Sequence, residues 1–159
     1  MPTINKRFLL ILVAVTLALT GGLVGAHFVQ ARRIPDALKG QADRASEAGK
    51  SELAAHYLRQ YLEFRPDDTD AQEQLAGLVK KRAEALRKEG RRADPSDLLL
   101  LYDKILRADP GREAVRKDAL ELCLRIRRYT DAETHAQELL KTHPTDAGLW
   151  QQLAAAQAG

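Results

Sequence analysis

Residues 129–150 read YTDAETHAQELLKTHPTDAGLW, and this stretch decides the fold. Its alanines and leucines recur at helical spacing until Pro144, and Asp146 then opens the next helix. The preceding proline of this kind, Pro110, lies 34 residues earlier (144 − 110 = 34). Because one helical hairpin cannot bury its apolar stripe alone, a period of this length predicts a stack of hairpins.

The composition predicts an all-α protein whose helical part is close to neutral. Of 159 residues, 45% are hydrophobic and 30% charged, and strong helix formers dominate. The first 33 residues contain four basic residues and no acid, which leaves 21 basic (25 − 4) and 22 acidic residues in the rest. Because binding to phosphates needs a basic excess, we expect no nucleic-acid partner.

A charge-free stretch, FLLILVAVTLALTGGLVGAHFV, covers residues 8–29. Since ~20 helical residues cross a bilayer core, it predicts a single transmembrane helix that serves as a signal anchor. Residues 1–7 then form a basic tail and residues 30–34 a linker. Two alternatives stay open: a signal peptide cleaved at the small residues 24–26, and a buried helix of a soluble protein. The basic pair Arg32-Arg33 after the apolar run favours the retained anchor.

Two sequence patterns give opposite predictions for the side of the membrane on which the repeat domain lies. Two basic residues precede the span, whereas four follow it closely, and the positive-inside rule would then keep the domain in the cytoplasm. The signal-like layout of the first 26 residues favours export. We expect the extracytoplasmic side, with the cytoplasmic side as the alternative.

Three prolines divide residues 35–159 into helical pairs. Pro66, Pro110 and Pro144 each close a unit, which predicts units at 35–68, 69–112 and 113–146 and a partial unit at 147–159. The first interval is 44 residues long (110 − 66 = 44), ten more than the second, and we place the insertion near residues 86–94. Thr69 with Gln72, and Thr130 with Glu133, have the spacing of capping boxes.

Small and bulky residues recur at matched positions of these units. The second helices carry a small or apolar residue followed four positions later by another apolar residue: Ala54 and Leu58, Leu98 and Tyr102, Ala132 and Ala136. The first helices carry Leu75 and Ala76, and Trp150, Leu153 and Ala154. In this pattern residues 35–159 resemble the tetratricopeptide repeat family. The resemblance implies a right-handed superhelix of about three repeats plus a half repeat.

The resemblance also implies a function, namely binding of a protein or peptide on a concave surface lined by the first helices. The candidate binding residues are Lys80, Lys81, Lys117, Glu121 and Arg125. Their alternative interpretation is solvated surface charge. The basic run between Lys80 and Arg92 has two similar interpretations, a solvated helix end or a contact for a lipid headgroup or an acidic partner. The family's lysine–asparagine clamp is not supported, because Asn5 is the only asparagine.

The last predicted helix has no second helix after it. It carries Trp150 and Leu153, which we expect to face inward and to form an open apolar end of the stack. Either the chain is part of a longer protein, or this end docks on another chain or on a copy of itself.

Catalytic constellations are missing from the sequence. The four histidines have no zinc-binding spacing, and Cys123 is the only cysteine. We therefore expect no catalytic residue, no metal and no cofactor, and predict a membrane-anchored scaffold rather than an enzyme. Two alternatives remain: the N-terminal regulatory or assembly part of a longer envelope protein or enzyme with its activity beyond residue 159, and a cleaved, secreted binding module.

Overall fold

The computed structural model describes residues 34–159 and the single residue Thr16. Within residues 34–159 the chain forms seven α-helices and no strand, which confirms the all-α prediction. The helices are α1 (34–47), α2 (Ser51–Phe64), α3 (Thr69–Lys88), α4 (Ser96–Ala108), α5 (Glu113–Arg125), α6 (Tyr129–Thr142) and α7 (Ala147–Gln157). The predicted span at 8–29 lies outside the described residues, apart from the helical Thr16. None of the helices in 34–159 is long and apolar enough to cross a membrane.

The helices stack in chain order as a solenoid of hairpins. From α2 onward each helix packs against the next, and α5 also contacts α7. Short turns join neighbouring helices, as expected for antiparallel pairs. The odd-numbered helices are the first helices of the pairs, and the even-numbered ones are the second helices. The right-handed sense of the superhelix stays a prediction.

The core is a row of three apolar clusters, one at each junction between units. The first cluster joins α1, α2 and α3, the second joins α3, α4 and α5, and the third joins α5, α6 and α7. Alanines with no exposed surface, such as Ala54, Ala132 and Ala136, lie inside the stack between neighbouring helices. Small side chains permit close packing of helices, and the neighbouring leucines and isoleucines fill the remaining space.

The same turn chemistry opens three of the first helices. Six residues after each unit-closing proline, a side chain donates a hydrogen bond to the proline carbonyl: Gln72 to Pro66 at 2.5 Å, Arg116 to Pro110 at 2.9 Å, and Trp150 to Pro144 at 2.9 Å. This bond ties the start of each first helix to the turn before it. The three turns therefore share this bond although their sequences differ.

The predicted capping boxes at Thr69 and Thr130 are wrong. The cap of α3 is Asp68, whose carboxylate accepts from the Ala71 amide at 2.9 Å, and Asp146 caps α7 in the same way. Thr130 is already inside α6, whose N-cap residue makes no side-chain cap bond. Aspartate takes this position in α3 and α7 because its carboxylate also interacts favourably with the positive end of the helix dipole.

The first helices α1, α3 and α5 end in one shared motif. Gly49, Gly90 and Arg127 have φ angles of 71°, 73° and 63°, in the left-handed region. At α5, Arg127 donates its amide to the Leu124 carbonyl at 3.2 Å, and the next residue donates to the Cys123 carbonyl at 2.8 Å. This pair of bonds is the Schellman motif, which favours glycine at the left-handed position.

Replacing Arg127 by glycine is expected to stabilise the protein. A residue with a Cβ atom in the left-handed region costs about 1 kcal/mol, and Arg127→Gly removes that cost. We expect the free energy of unfolding, measured by urea denaturation, to rise by about 1 kcal/mol. The matched control is Arg59→Gly in the middle of α2, which should lower it by about 1 kcal/mol. A loss of stability in Arg127→Gly would contradict the assignment of this backbone geometry.

The middle unit is longer than the others in two places. Helix α3 has 20 residues against 13 in α5, so it extends beyond its neighbours at the C-terminal end. The turn that follows it covers residues 89–95, whereas the turn after α5 covers only 126–128. The extra length therefore forms a wall beside the C-terminal halves of α3 and α5.

Candidate partner-binding surface

The first helices α1, α3, α5 and α7 lie side by side, and we call their exposed face the first-helix surface. Lys39 of α1 hydrogen-bonds Gln74 of α3. Lys80 of α3 pairs with Asp118 of α5 at 2.6 Å, and α5 contacts α7 directly. Polar contacts therefore link α1 to α3 and α3 to α5 across the surface.

Arg112 provides a further link between neighbouring units. Its guanidinium reaches Asp70 at 2.7 Å and Glu73 at 2.8 Å on α3, and Asp109 at 2.9 Å in its own turn. The hydrogen bond from Arg112, together with one from the Gly111 amide, holds the pKa of Asp109 below its usual value. One guanidinium thus binds three carboxylates and joins the second and third units.

An open groove of about 630 Å³ runs between α5 and α7. Two predicted residues, Lys117 and Glu121, line it. Lys117 pairs with Glu113 at 2.6 Å, and the hydrogen bond from Lys117 is the main cause that lowers the pKa of Glu113. Glu121, Gln151 and Gln152 have no hydrogen-bond or ion-pair partner among residues 34–159. Their polar groups are available to a ligand in this groove.

A second open groove, of about 590 Å³, runs between α1 and α3. It contains the predicted residue Lys81, which faces Asp43 and Glu47 across the groove. Buried Ala42 and Leu58 form part of its floor. Like the α5/α7 groove, it combines an apolar floor with polar walls.

The remaining predicted residues, Lys80 and Arg125, line a smaller pocket of about 290 Å³. It lies between α3 and α5, under the turn 89–95, and we call it the insertion pocket. The five predicted residues are therefore divided among three neighbouring depressions instead of forming one site. Gln151 and Gln152 are not among the predicted residues, and Arg87 enters the prediction only as part of the basic run between Lys80 and Arg92, because which depression a polar residue lines depends on helix packing.

At the open end of the stack, only one of the two residues expected to face inward does so. Leu153 is 7% exposed and packs into the third cluster with Leu149, whereas Trp150 is 53% exposed. The expectation that Trp150 faces inward is wrong, because its indole N–H binds the Pro144 carbonyl and its ring stays at the surface. In α3 the equivalent residue, Gln72, is 1% exposed. Self-association through this end stays a prediction.

The buried titratable groups do not form a reactive site. Burial raises the pKa of Cys123 to about 11, so the thiol is protonated and unreactive. Burial also lowers the pKa of His135, which favours the neutral ring. Residues 34–159 contain no group of three histidine, cysteine or acidic side chains arranged to hold a metal ion.

The stacked hairpins and the grooved first-helix surface define a class, the helical-hairpin solenoid. Comparison with known proteins relates this class to a known family. Residues 113–156 match the tetratricopeptide repeat family, which confirms the resemblance for that part of the chain. No curated protein matches the chain.

Solved structures with a similar fold include two of MamA. MamA from Desulfovibrio magneticus RS-1 is 18% identical with a TM-score of 0.57, and a MamA RS-1 double mutant is 17% identical with the same score. Both alignments cover 77% of this chain and 64% of the other. A mutant of Thermobaculum terrenum O-GlcNAc transferase is 16% identical with a TM-score of 0.52, over 79% of this chain and 22% of that one. The chain thus spans less than two thirds of these proteins, and the likeness establishes the fold.

Proposed function

We propose that residues 34–159 form a scaffold that binds a protein or peptide partner on the first-helix surface. The observation that carries this proposal is the pair of open grooves along the surface, each with an apolar floor and with polar walls that are only partly paired within residues 34–159. Protein interfaces combine apolar contact with about one hydrogen bond per 100–200 Å². Helical-hairpin solenoids offer such extended surfaces because each repeat adds a segment to the same face.

The α5/α7 groove offers the clearest set of contacts. Glu121, Gln151 and Gln152 present donors and acceptors that no residue of 34–159 satisfies. Leu124 and Leu149 supply apolar surface beside them. A peptide lying along this groove would exchange hydrogen bonds with water for hydrogen bonds with these side chains, and would bury its own apolar groups against the leucines.

Site-specific photo-crosslinking in cells tests the scaffold. A photoreactive amino acid replaces Gln151 in the α5/α7 groove of the full chain, and in a control chain it replaces Arg59, an exposed residue of α2 that lines no groove. We expect a discrete cross-linked species from position 151 and none from position 59. Glu121→Lys, which reverses a charge in the same groove, should reduce the yield at 151. Equal yields from both positions would refute specific binding in the α5/α7 groove.

We further propose that residues 8–29 anchor the scaffold as a single-pass span with the repeat domain outside the cytoplasm. The proposal is supported by the length of the charge-free segment and by the basic pair that follows it. Mass analysis of the N-terminus should find residues 1–29 retained. Two reporters fused to the C-terminus test the side of the membrane. We expect signal from a reporter that works only outside the cytoplasm. Signal from a reporter that works only in the cytoplasm would overturn the proposed orientation.

A further inference from the structure

The insertion pocket is built by the extra length of the middle unit. Its floor is apolar and comes from three helices: Val79, Ala83, Leu98, Leu122 and Ile126. Leu98 and Leu122 are buried, and the other three are partly exposed to the pocket. The turn 89–95 closes one side of this floor. The result is a depression of about 290 Å³, close to the lower limit for small-ligand sites.

The walls of the pocket carry an excess of positive charge. Five basic and two acidic residues line it: Lys80, Arg87, Arg91, Arg92, Arg125, Glu84 and Asp94. Lys80 pairs with Asp118 and Arg91 with Glu89. Within residues 34–159, Arg87, Arg92 and Arg125 form no ion pair. Three guanidinium groups with unused donors therefore surround an apolar floor.

The two grooves on either side have the opposite charge. The α1/α3 groove has Asp43 and Glu47 against Lys81. In the α5/α7 groove, three carboxylates face one lysine. An extended polyanion or a uniformly anionic bilayer lying on the surface would meet these carboxylates and be repelled. A ligand that satisfies the pocket must therefore carry its negative charge over a short length.

From this arrangement we propose that the insertion pocket binds a short acidic peptide segment that carries one large apolar side chain. The apolar side chain would fill the floor, and carboxylates flanking it would bind Arg87, Arg92 and Arg125. Guanidinium suits this role because it binds carboxylates through two parallel hydrogen bonds. The proposal rests on the proposed scaffold function and specifies the chemistry of one part of the partner.

Fluorescence anisotropy with the purified full chain tests the pocket. The probe is a labelled short peptide with a central leucine flanked by glutamates, and the comparison peptide has serine in place of the leucine. We expect the leucine peptide to bind and the serine peptide to bind at least about tenfold more weakly, because it cannot bury an apolar side chain. Binding of the leucine peptide should weaken as salt is added.

Variants assign the binding to the pocket. Arg87→Glu with Arg92→Glu should weaken binding of the leucine peptide at least about fivefold, because two attractions become repulsions. The control, Arg59→Glu, reverses an exposed arginine that lies outside the pocket and should bind as the unaltered chain does. Equal binding of the two peptides, or no effect of the double reversal, would overturn the proposal.

A lipid ligand is a separate outcome of the same assay. If neither peptide binds and soluble dihexanoyl phosphatidylglycerol does, the pocket recognises a headgroup and the peptide proposal fails. The scaffold is judged independently by cross-linking at position 151. A cross-link there without binding of the leucine peptide would sink only the pocket, and the reverse result would sink only the α5/α7 groove.

Discussion

Leu120→Ala is expected to lower the free energy of unfolding by about 2–5 kcal/mol. Leu120 has no exposed surface and lies in the third cluster, where α5, α6 and α7 meet. Truncation removes apolar contacts from all three helices and leaves a cavity that their rigid backbones fill only in part. Urea denaturation followed by circular dichroism measures the loss.

The matched control for this substitution is Leu100→Ala in α4. Leu100 is 70% exposed, so the same chemical change removes little buried surface and should cost less than about 0.5 kcal/mol. Similar losses in the two variants would mean that Leu120 does not pack between the helices as the structure describes.

Ala136→Phe enlarges a core side chain, whereas Leu120→Ala shortens one, and it tests whether the helices must approach closely at this position. Ala136 has no exposed surface and lies in the same cluster. A phenyl ring there must displace α5 or α7 or adopt a strained rotamer, which costs about 1–3 kcal/mol. We expect a lower melting temperature and a loss of the cross-link from position 151, because the α5/α7 groove depends on the spacing of these helices.

The same change at Ala114, an exposed residue of α5, is the control for Ala136→Phe. It introduces the same side chain at an exposed position, where nothing is overpacked. The free energy of unfolding should fall only by the difference in helix propensity, about 0.5 kcal/mol. If Ala136→Phe were as stable as Ala114→Phe, the cluster would have room for the ring, and the small residue would not be needed for packing.

The two core predictions concern the part of the chain that matches the tetratricopeptide repeat family, residues 113–156. The α5/α7 groove lies within this part, and its shape is set by the third cluster beneath it. Stability and the proposed partner binding should therefore be coupled there, because a substitution that moves α7 changes the groove as well as the core. Binding variants should accordingly be chosen at exposed positions such as Gln151, where stability is little affected.

Several features of the site could not be predicted from single residues. The sequence identified Lys80 and Lys81 as neighbours on α3, yet they line different depressions because α5 packs beside Lys80 and α1 beside Lys81. The sequence also predicted that Trp150 faces inward together with Leu153, as part of the apolar set of the last helix. The ring lies outside because its indole N–H binds the Pro144 carbonyl, a bond that depends on the turn geometry.

The sequence by itself determined that the described chain is helical and repetitive. Periodic leucines and alanines define the buried stripes, and three prolines end the pairs, because both signals act within a few residues of the chain. Only the tertiary structure decided which side chains share a groove and that the extra length of the middle unit makes a pocket. These depend on contacts between residues some 35 to 42 positions apart, such as Lys39 with Gln74 and Arg112 with Asp70, and local patterns do not encode such distances.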